Sequence, residues 1–213
     1  MKNSKEYFDE IAVEWDDMQT SFFSSEVREY AYNMAQVEGG KIAADIGAGT
    51  GFITEGLLKK NIKVVAIDQS REMLDCLEKK YNAEGELICI QGDGNQLPLE
   101  DNSVDYVFAN MYLHHVTDPM VAIKEMYRIL KVQGKMVITD LGSHSYEFLR
   151  TEQYDKWLGF DKEDMEQWLR VAGFSEIKIQ PVQSECSSES RCSCESAKIS
   201  IFAALGIKAF TIY

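Results

Sequence analysis

Apolar positions recur in this chain with two periods, and their alternation predicts the order of elements. Short apolar runs typical of buried strands occupy residues 42–46, 62–67, 87–90, 104–109 and 135–140. Between several of them the apolar residues are three or four positions apart, which predicts helices over 52–60, 71–80 and 119–130. Ser70 and Asp118 are the predicted N-caps of the last two. Strands that alternate with helices indicate an α/β fold, with a mostly parallel sheet covered on both faces.

The segment before the first strand carries two more helical patterns. Over residues 4–19, apolar side chains form one stripe, and a second helix is predicted over 24–37. Two helices in front of the first strand predict a cap over a crevice at one edge of the sheet.

The last third of the chain breaks the alternation. A helix is predicted over 162–172, with Asp161 as its N-cap and Gly173 as its end. Strands over 176–182 and 198–205 then follow with no helix between them, so we expect an antiparallel pair. No internal repeat or linker is visible, and one domain over residues 1–213 is predicted.

Three glycines lie at alternate positions where the first strand meets its helix. They are Gly47, Gly49 and Gly51, and a glycine turn of this kind brings backbone N–H groups close to a ligand. The order D-x-G-x-G-x-G differs from the dinucleotide fingerprint G-x-G-x-x-G. Asp68 ends the second strand about 20 residues further on, where a carboxylate can hold ribose hydroxyls. Asp45 precedes the first glycine and favours a cationic ligand over a pyrophosphate.

Later segments strengthen this pattern. They are Gly92-Asp93-Gly94 with Leu97-Pro98-Leu99, then Asp105 to Asn110, then Leu130 to Lys135. In order and spacing the chain resembles the class I S-adenosylmethionine-dependent methyltransferases, of the type 11 (UbiE-like) group that acts on small molecules. The resemblance is close over residues 40–142. It implies a three-layer Rossmann-like sandwich, with a mostly parallel seven-stranded sheet and an antiparallel last strand.

The resemblance also implies three regions and a cofactor. Residues 1–38 would form the helical cap, 40–142 the cofactor-binding core, and 143–213 the acceptor-side helix and terminal hairpin. S-adenosylmethionine would be the methyl donor, with Tyr7 or Phe8 bordering it unless both simply pack against the sheet.

Individual cofactor contacts carry over by position. Asp45, Gly47 and Gly49 would hold the methionine portion. Asp68 would bind the ribose, and Gln69 would border the adenine. The adenine amino group would donate to Asp93, with Gly94 alongside, and the Asn110 carbonyl would face the sulfonium. Structural alternatives are a turn at Asp93-Gly94 and a strand-end cap at Asp68.

Two histidines follow the fourth strand and are candidate catalytic residues. His114 or His115 could act as a general base, because imidazole titrates near neutral pH. The alternative is a structural histidine in the loop before the next helix. The segment Asn110-Met111-Tyr112-Leu113 departs from the Asn/Asp-Pro-Pro-Tyr motif of many amine and nucleobase methyltransferases, which disfavours base amino groups as acceptors.

A serine-rich stretch over residues 184–196 contains three of the five cysteines. As thiolates, Cys186, Cys192 and Cys194 could hold a soft metal or a metalloid such as arsenite. Arsenite methyltransferases share this fold, although their cysteine arrangement is not reproduced here. Incidental thiols in a loop and a redox-sensitive disulfide are the alternatives. Cys76 and Cys89 are predicted to be small apolar core residues.

Composition narrows the classes of partner. A formal net charge of −13 over 213 residues disfavours nucleic acid and anionic membranes. The first residues lack an apolar signal core and the cysteine count is odd, so a cytoplasmic protein with reduced thiols is expected. A small-molecule acceptor is the expected partner, and a homodimer stays open.

Three functional hypotheses remain. The first is methyl transfer from S-adenosylmethionine to a small molecule. The second is a non-catalytic regulatory module that binds S-adenosylmethionine or a metal. The third is a nicotinamide-dependent oxidoreductase, which the glycine spacing disfavours.

Overall fold

A computed structural model describes residues 4–81, 83–192 and 194–210, and a seven-stranded sheet lies at the centre of this part of the chain. The strands are β1 (Ile42–Ile46), β2 (Lys63–Asp68), β3 (Leu87–Gln91), β4 (Val104–Asn110), β5 (Leu130–Leu141), β6 (Phe174–Glu189) and β7 (Ser196–Lys208). Their order across the sheet is β3-β2-β1-β4-β5-β7-β6. Strands β1 to β5 pair in parallel, and β7 is antiparallel to both of its neighbours. The predicted fold class is confirmed.

Helices cover both faces of this sheet. They are α1 (Ser4–Ile11), α2 (Trp15–Phe22), α3 (Glu26–Ala35), α4 (Phe52–Lys59), α5 (Arg71–Tyr81), α6 (Pro119–Ile129), α7 (Phe148–Glu152) and α8 (Lys162–Ala172). A 3₁₀ turn, Leu113–His115, follows β4. None of the helices within the described ranges has the length and apolar character needed to cross a membrane.

Successive residues of the central strand β4 divide the core into two layers. Val107 belongs to the cluster that α6 and α8 cover, together with Met126 and Met165. The next residue, Phe108, belongs to the opposite cluster with Tyr32 of α3 and residues of α4. Side chains alternate between the two faces along a strand, so a strand that is apolar throughout requires cover on both sides.

Several local signals act as predicted. The Ser70 hydroxyl accepts a hydrogen bond from the Met73 N–H, and Asp118 caps α6 through two backbone N–H groups. Gly173 ends α8 with φ of 105°. Asp161 occupies the predicted N-cap position of α8, although its side chain makes no capping hydrogen bond there.

The first predicted helix is divided in two. The chain turns after Ile11, whose carbonyl accepts from the Glu14 N–H, and Val13 is 87% exposed at the bend. Because of this bend, the apolar stripe predicted over residues 4–19 packs in two places, one contacted by α1 and the other by α2. Tyr7 packs on Tyr154, with ring centroids 5.1 Å apart, while α2 contacts the glycine turn.

The terminal hairpin is longer than predicted. β6 runs to Glu189 and β7 begins at Ser196, so much of the predicted serine-rich loop is strand. Backbone pairing with β7 sustains the polar part of β6, because ladder hydrogen bonds do not depend on side-chain polarity. β5 also starts earlier, at Leu130, and the short helix α7 has no counterpart among the predicted elements.

Gly159 fixes the segment between α7 and α8 against the end of β5. Its φ is +72°, and an added Cβ would lie 2.1 Å from the Gly142 carbonyl oxygen. Gly40 also has positive φ, +77°, but an added Cβ would have no atom within 4 Å. We expect Gly40→Ala to cost about 1–2 kcal/mol of unfolding free energy, from backbone conformation alone.

Gly159→Ala should cost clearly more than Gly40→Ala, because the backbone of residue 142 must also move. Urea denaturation of both variants, read by circular dichroism, measures the difference. Equal destabilisation of the two variants would contradict the close packing of this segment.

Candidate active site

A cavity of about 320 Å³ opens at the carboxyl ends of the parallel strands. Ligands of open α/β sheets bind at this edge. All eight predicted cofactor residues line the cavity: Asp45, Gly47, Gly49, Asp68, Gln69, Asp93, Gly94 and Asn110. The strand ends that are distant in sequence therefore converge as predicted.

The glycine turn is tied to the end of β2. The Gly47 and Ala48 N–H groups both donate to the Ile67 carbonyl, at 2.8 and 3.1 Å. Gly47, Gly49 and Gly51 have φ of 69°, 53° and 103°, a region that residues with a Cβ rarely adopt. The alternate glycines are thus required by the backbone conformation of the turn.

The Asp68 carboxylate joins this turn to the next one. One oxygen accepts from the Gly49 N–H at 2.8 Å, and the other accepts from the Ser70 N–H at 2.9 Å. A carboxylate offers about four lone-pair positions, so both oxygens keep capacity for ligand hydroxyls. Asp68 is therefore oriented as a strand-end cap and remains able to bind a ribose.

Asp45 is a second carboxyl group in the cavity wall and is more deeply buried than Asp68. It is 2% exposed and accepts from the Thr54 hydroxyl at 2.7 Å. Burial raises the pKa of Asp45 to about 7, and the nearby Asp68 adds to the shift. Burial likewise raises the pKa of Asp68.

Cations at the rim do not neutralise this acidic wall. The Lys5 ammonium pairs with Asp9 at 2.6 Å, and Lys156 donates to the Thr117 hydroxyl at 2.7 Å. Two desolvated carboxyl groups gain most from a cationic ligand, because a nearby positive charge favours their ionised form. The two carboxyl groups therefore suit a ribose-bearing cation such as S-adenosylmethionine better than a pyrophosphate.

Tyr112 occupies space that two of the predicted glycines leave open. An added Cβ would lie 2.3 Å from its Cδ2 at Gly47 and 1.8 Å from its hydroxyl at Gly94. A side chain at either glycine would therefore collide with the Tyr112 ring. This role of the two glycines was not assigned from the sequence. The Tyr112 ring forms part of the cavity wall between them.

The remaining cofactor candidates differ in exposure. Asp93 is exposed, and one of its oxygens accepts from the backbone and side chain of Asn95, at 2.9 Å each. Gln69 is half-buried at the rim. The Asn110 side chain accepts from the Thr139 hydroxyl at 2.7 Å, which orients it toward β5.

The N-terminal helices close the cavity from above. Phe8 and Trp15 line it, with ring centroids 5.3 Å apart, and an added Cβ at Gly49 would be 3.7 Å from the Trp15 indole nitrogen. Asp16 fixes this cap by accepting from the Thr50 hydroxyl and pairing with Lys80. Of the two predicted aromatic residues, Phe8 borders the cavity.

The two candidate catalytic histidines occupy different environments. The His115 ring lines the cavity and contacts Phe8, whereas His114 is buried behind it. His114 Nδ1 lies 2.6 Å from an Asp140 oxygen. Burial alone lowers the pKa of His114, but Asp140 and Asp155 outweigh it and raise the pKa to about 9. Burial and the adjacent His114 hold the pKa of His115 well below its usual value.

The three cysteines proposed as metal ligands, Cys186, Cys192 and Cys194, do not form a cluster in the structure. Cys186 is half-buried within β6, and Cys192 and Cys194 are exposed near the hairpin end. Among the described residues, no group of metal-binding side chains includes any of them. Burial raises the pKa of Cys186 to about 12, with contributions from Asp155 and Asp140, which keeps it a thiol.

Three cavity or near-cavity residues were missed in the sequence. Trp15 and Tyr112 carry no motif, and only their places, on the cap stripe and after β4, could have indicated them. Asp155 lies between α7 and α8 in a segment with no periodic pattern, and it is 5% exposed.

Fold and site together define a class of protein: an open α/β domain with a crevice lined by a glycine turn and acidic strand ends. Comparison with known families is more specific, because residues 44–138 match the model described as "Methyltransferase domain". Over this segment the chain is similar to methyltransferase domains.

Curated relatives agree with this classification. A chloroplastic 2-methyl-6-phytyl-1,4-hydroquinone methyltransferase 1 of Oryza sativa subsp. japonica is 31% identical over 75% of this chain and 49% of its own length. A demethylmenaquinone methyltransferase of Staphylococcus haemolyticus is 29% identical over 72% of this chain and 76% of its own length. The chain spans about half the length of the first of these relatives.

A solved structure shares the fold. It is a methyltransferase in complex with the Haloferax volcanii Trm112 methyltransferase activator. The two chains superpose with a TM-score of 0.79, at 18% identity, over 99% of this chain and 100% of the other.

The contact between Tyr112 and Gly94 predicts that a substitution at Gly94 can be partly compensated by one at Tyr112. Gly94→Ala should weaken S-adenosylhomocysteine binding, because the new methyl group collides with the Tyr112 hydroxyl. Adding Tyr112→Phe should restore part of the affinity, since the next atom, Tyr112 Cζ, would be 2.9 Å away.

Gly47→Ala is the matched comparison. There the nearest atom is ring carbon Cδ2, so Tyr112→Phe should give no rescue. Isothermal titration calorimetry on the four variants measures both effects. Equal rescue at the two positions would contradict the assigned contacts.

Proposed function

We propose that this chain transfers the methyl group of S-adenosylmethionine to a small-molecule acceptor. One observation carries the proposal: the desolvated carboxyl groups of Asp45 and Asp68 lie on the same cavity wall as the glycine turn. A cationic ligand with a ribose satisfies both groups, and the curated relatives named above are methyltransferases.

Individual contacts follow from the cavity wall. Asp68 would accept from the ribose hydroxyls with the lone pairs that Gly49 and Ser70 leave unused. Asp45 would face the amino acid portion, beside Gly47 and Gly49. On the adenine side lie Gln69, Asp93 and Gly94, and the main chain at Asn110 would face the sulfonium.

When bound, S-adenosylmethionine supplies a methyl group that its sulfonium has already activated for in-line attack. What the protein must add is alignment of the acceptor and exclusion of water. Phe8, Trp15 and Phe23 supply an apolar cover over the cavity. His115 remains the candidate general base, because its ring is the one that borders the cavity and burial keeps it neutral.

The finer proposal concerns the acceptor. We propose a hydroxylated aromatic molecule, because both curated relatives carry quinone or hydroquinone substrates in their names and aromatic side chains cover this cavity. Arsenite, the acceptor suggested by the cysteine stretch, has weaker support, since Cys186 is held as a thiol. No observation favours a non-catalytic regulatory module.

Cofactor binding can be tested without knowing the acceptor. A ligand at 100 times its Kd stabilises the folded state by about 2.7 kcal/mol, so S-adenosylhomocysteine should raise Tm by several degrees. NAD should not. Asp68→Asn should remove most of the shift, whereas Asp164→Asn, an exposed carboxylate on α8, should leave it intact. Differential scanning fluorimetry reads all four cases, and an undiminished shift in Asp68→Asn would refute the ribose assignment.

Turnover is tested with radiolabelled donor. A panel of hydroquinones and catechols should accept label, arsenite should not, and label should stay on the donor when no acceptor is supplied. His115→Gln should lower kcat about 10²-fold or more if it is the general base. His144→Gln, the matched histidine outside the cavity wall, should retain kcat. Label on arsenite alone would reverse the choice of acceptor.

A further inference from the structure

Three polar side chains converge behind the acceptor side of the cavity. His114 and His115 come from the 3₁₀ turn after β4, and Asp155 comes from the segment after α7. One ligand atom from each lies within 4.8 Å of the other two. The Asp155 Oδ1 atom is 3.9 Å from His114 Nε2 and 3.7 Å from His115 Nδ1.

These groups face one another without forming hydrogen bonds. His115 Nδ1 and Asp155 Oδ1 are both buried and have no hydrogen-bond partner among the described residues. A buried polar atom left in this state costs about 1–3 kcal/mol. One ligand bound by both atoms and by the third nitrogen beside them would remove this cost.

The spacing suits a metal ion. Ligand atoms on a tetrahedral Zn²⁺, each about 2.1 Å from the ion, lie roughly 3.4 Å apart. The two separations from Asp155 Oδ1 exceed this value by a few tenths of an ångström, and the two imidazole nitrogens lie within 4.8 Å of each other. A small inward rotation of the side chains would therefore complete the coordination.

The supporting contacts are those of a metal-binding histidine. A ligating imidazole usually donates its second N–H to a carboxylate, which fixes the ring. His114 Nδ1 contacts Asp140 in this way, and Asp140 itself accepts from the Leu113 and Leu141 N–H groups at 2.8 and 2.7 Å. His114 Nε2 is thereby directed at Asp155.

The backbone also holds the two parts of the cluster together. The His114 carbonyl accepts from the N–H groups of Lys156 and Trp157, at 2.9 and 3.1 Å. Asp155 is thus fixed next to the turn that carries both histidines, although about 40 residues separate them in sequence.

We propose that His114, His115 and Asp155 bind one divalent transition-metal ion of the Zn²⁺ type. Two imidazoles and one carboxylate suit Zn²⁺ or Fe²⁺, whereas Mg²⁺ prefers oxygen ligands. The ion would lie behind the His115 ring and fix the turn between β4 and α6 at the cavity. A neutral imidazole bound through Nδ1 carries its proton on Nε2, so His115 would act as general base only in the metal-free chain. Without a metal, the same cluster would be a protonated His114 between two carboxylates.

Metal binding is tested on the full chain with Cys192→Ser and Cys194→Ser, which remove its exposed thiols. Zn²⁺ is titrated by calorimetry and Co²⁺ by visible absorption. We expect one ion per chain, with a Co²⁺ spectrum of nitrogen and oxygen ligands and no thiolate charge-transfer band. Asp155→Asn, His115→Gln and His114→Gln should each weaken binding about tenfold or more.

Matched variants complete the design. His144→Gln and Asp164→Asn should keep the original affinity, and Asp140→Asn should lower it about 10–100-fold with unchanged stoichiometry. Should His114→Gln fail to fold by circular dichroism, Asp155→Asn and His115→Gln decide the question. No binding, equal binding in all variants, or a thiolate spectrum would overturn the proposal.

Discussion

The carboxylate of Asp68 is the constraint on which the cofactor wall depends. It accepts from the backbone of the glycine turn through Gly49 and from the start of α5 through Ser70. The Ile67 carbonyl beside it accepts from Gly47 and Ala48. Three of these four bonds tie the turn after β1 to the end of β2, and the Asp68 carboxylate keeps lone pairs for a ligand. One side chain therefore shapes the turn and keeps hydrogen-bond acceptor capacity at the cavity.

The two functional regions of the cavity have different physical origins. The acidic wall is built from the ends of β1 and β2, where parallel pairing fixes the register of the two strands. The opposite side is built from segments that pack by side chains: the bent cap, the turn after β4, and the stretch around Asp155. The β5–β7–β6 part of the sheet supports this second side and brings Cys186 close to Asp140 and Asp155.

Much of this arrangement could be predicted from the sequence, because it depends on residues close together in the chain. Buried strands, alternate glycines and the caps at Ser70 and Asp118 depend on near neighbours, so they were predicted with their places on the rim. The break after Ile11 and the extension of β6 to Glu189 depend on surfaces formed only after folding. Asp155 could not be assigned, because nothing in its segment repeats and its partners lie about 40 residues earlier. The cysteine stretch was misjudged as a loop because its composition is polar, whereas pairing with β7 makes it strand.

β6 also affects whether molecules associate edge to edge through their sheets in solution. It is the outermost strand, and one of its backbone edges has no partner in the sheet. Pro181 lacks an N–H group, register shifts interrupt the ladder near Val182, and about half of the strand's other side chains are polar and exposed. Unpaired strand edges otherwise recruit further strands and start aggregates. This edge is therefore a poor template for cross-β growth, despite its length of 16 residues.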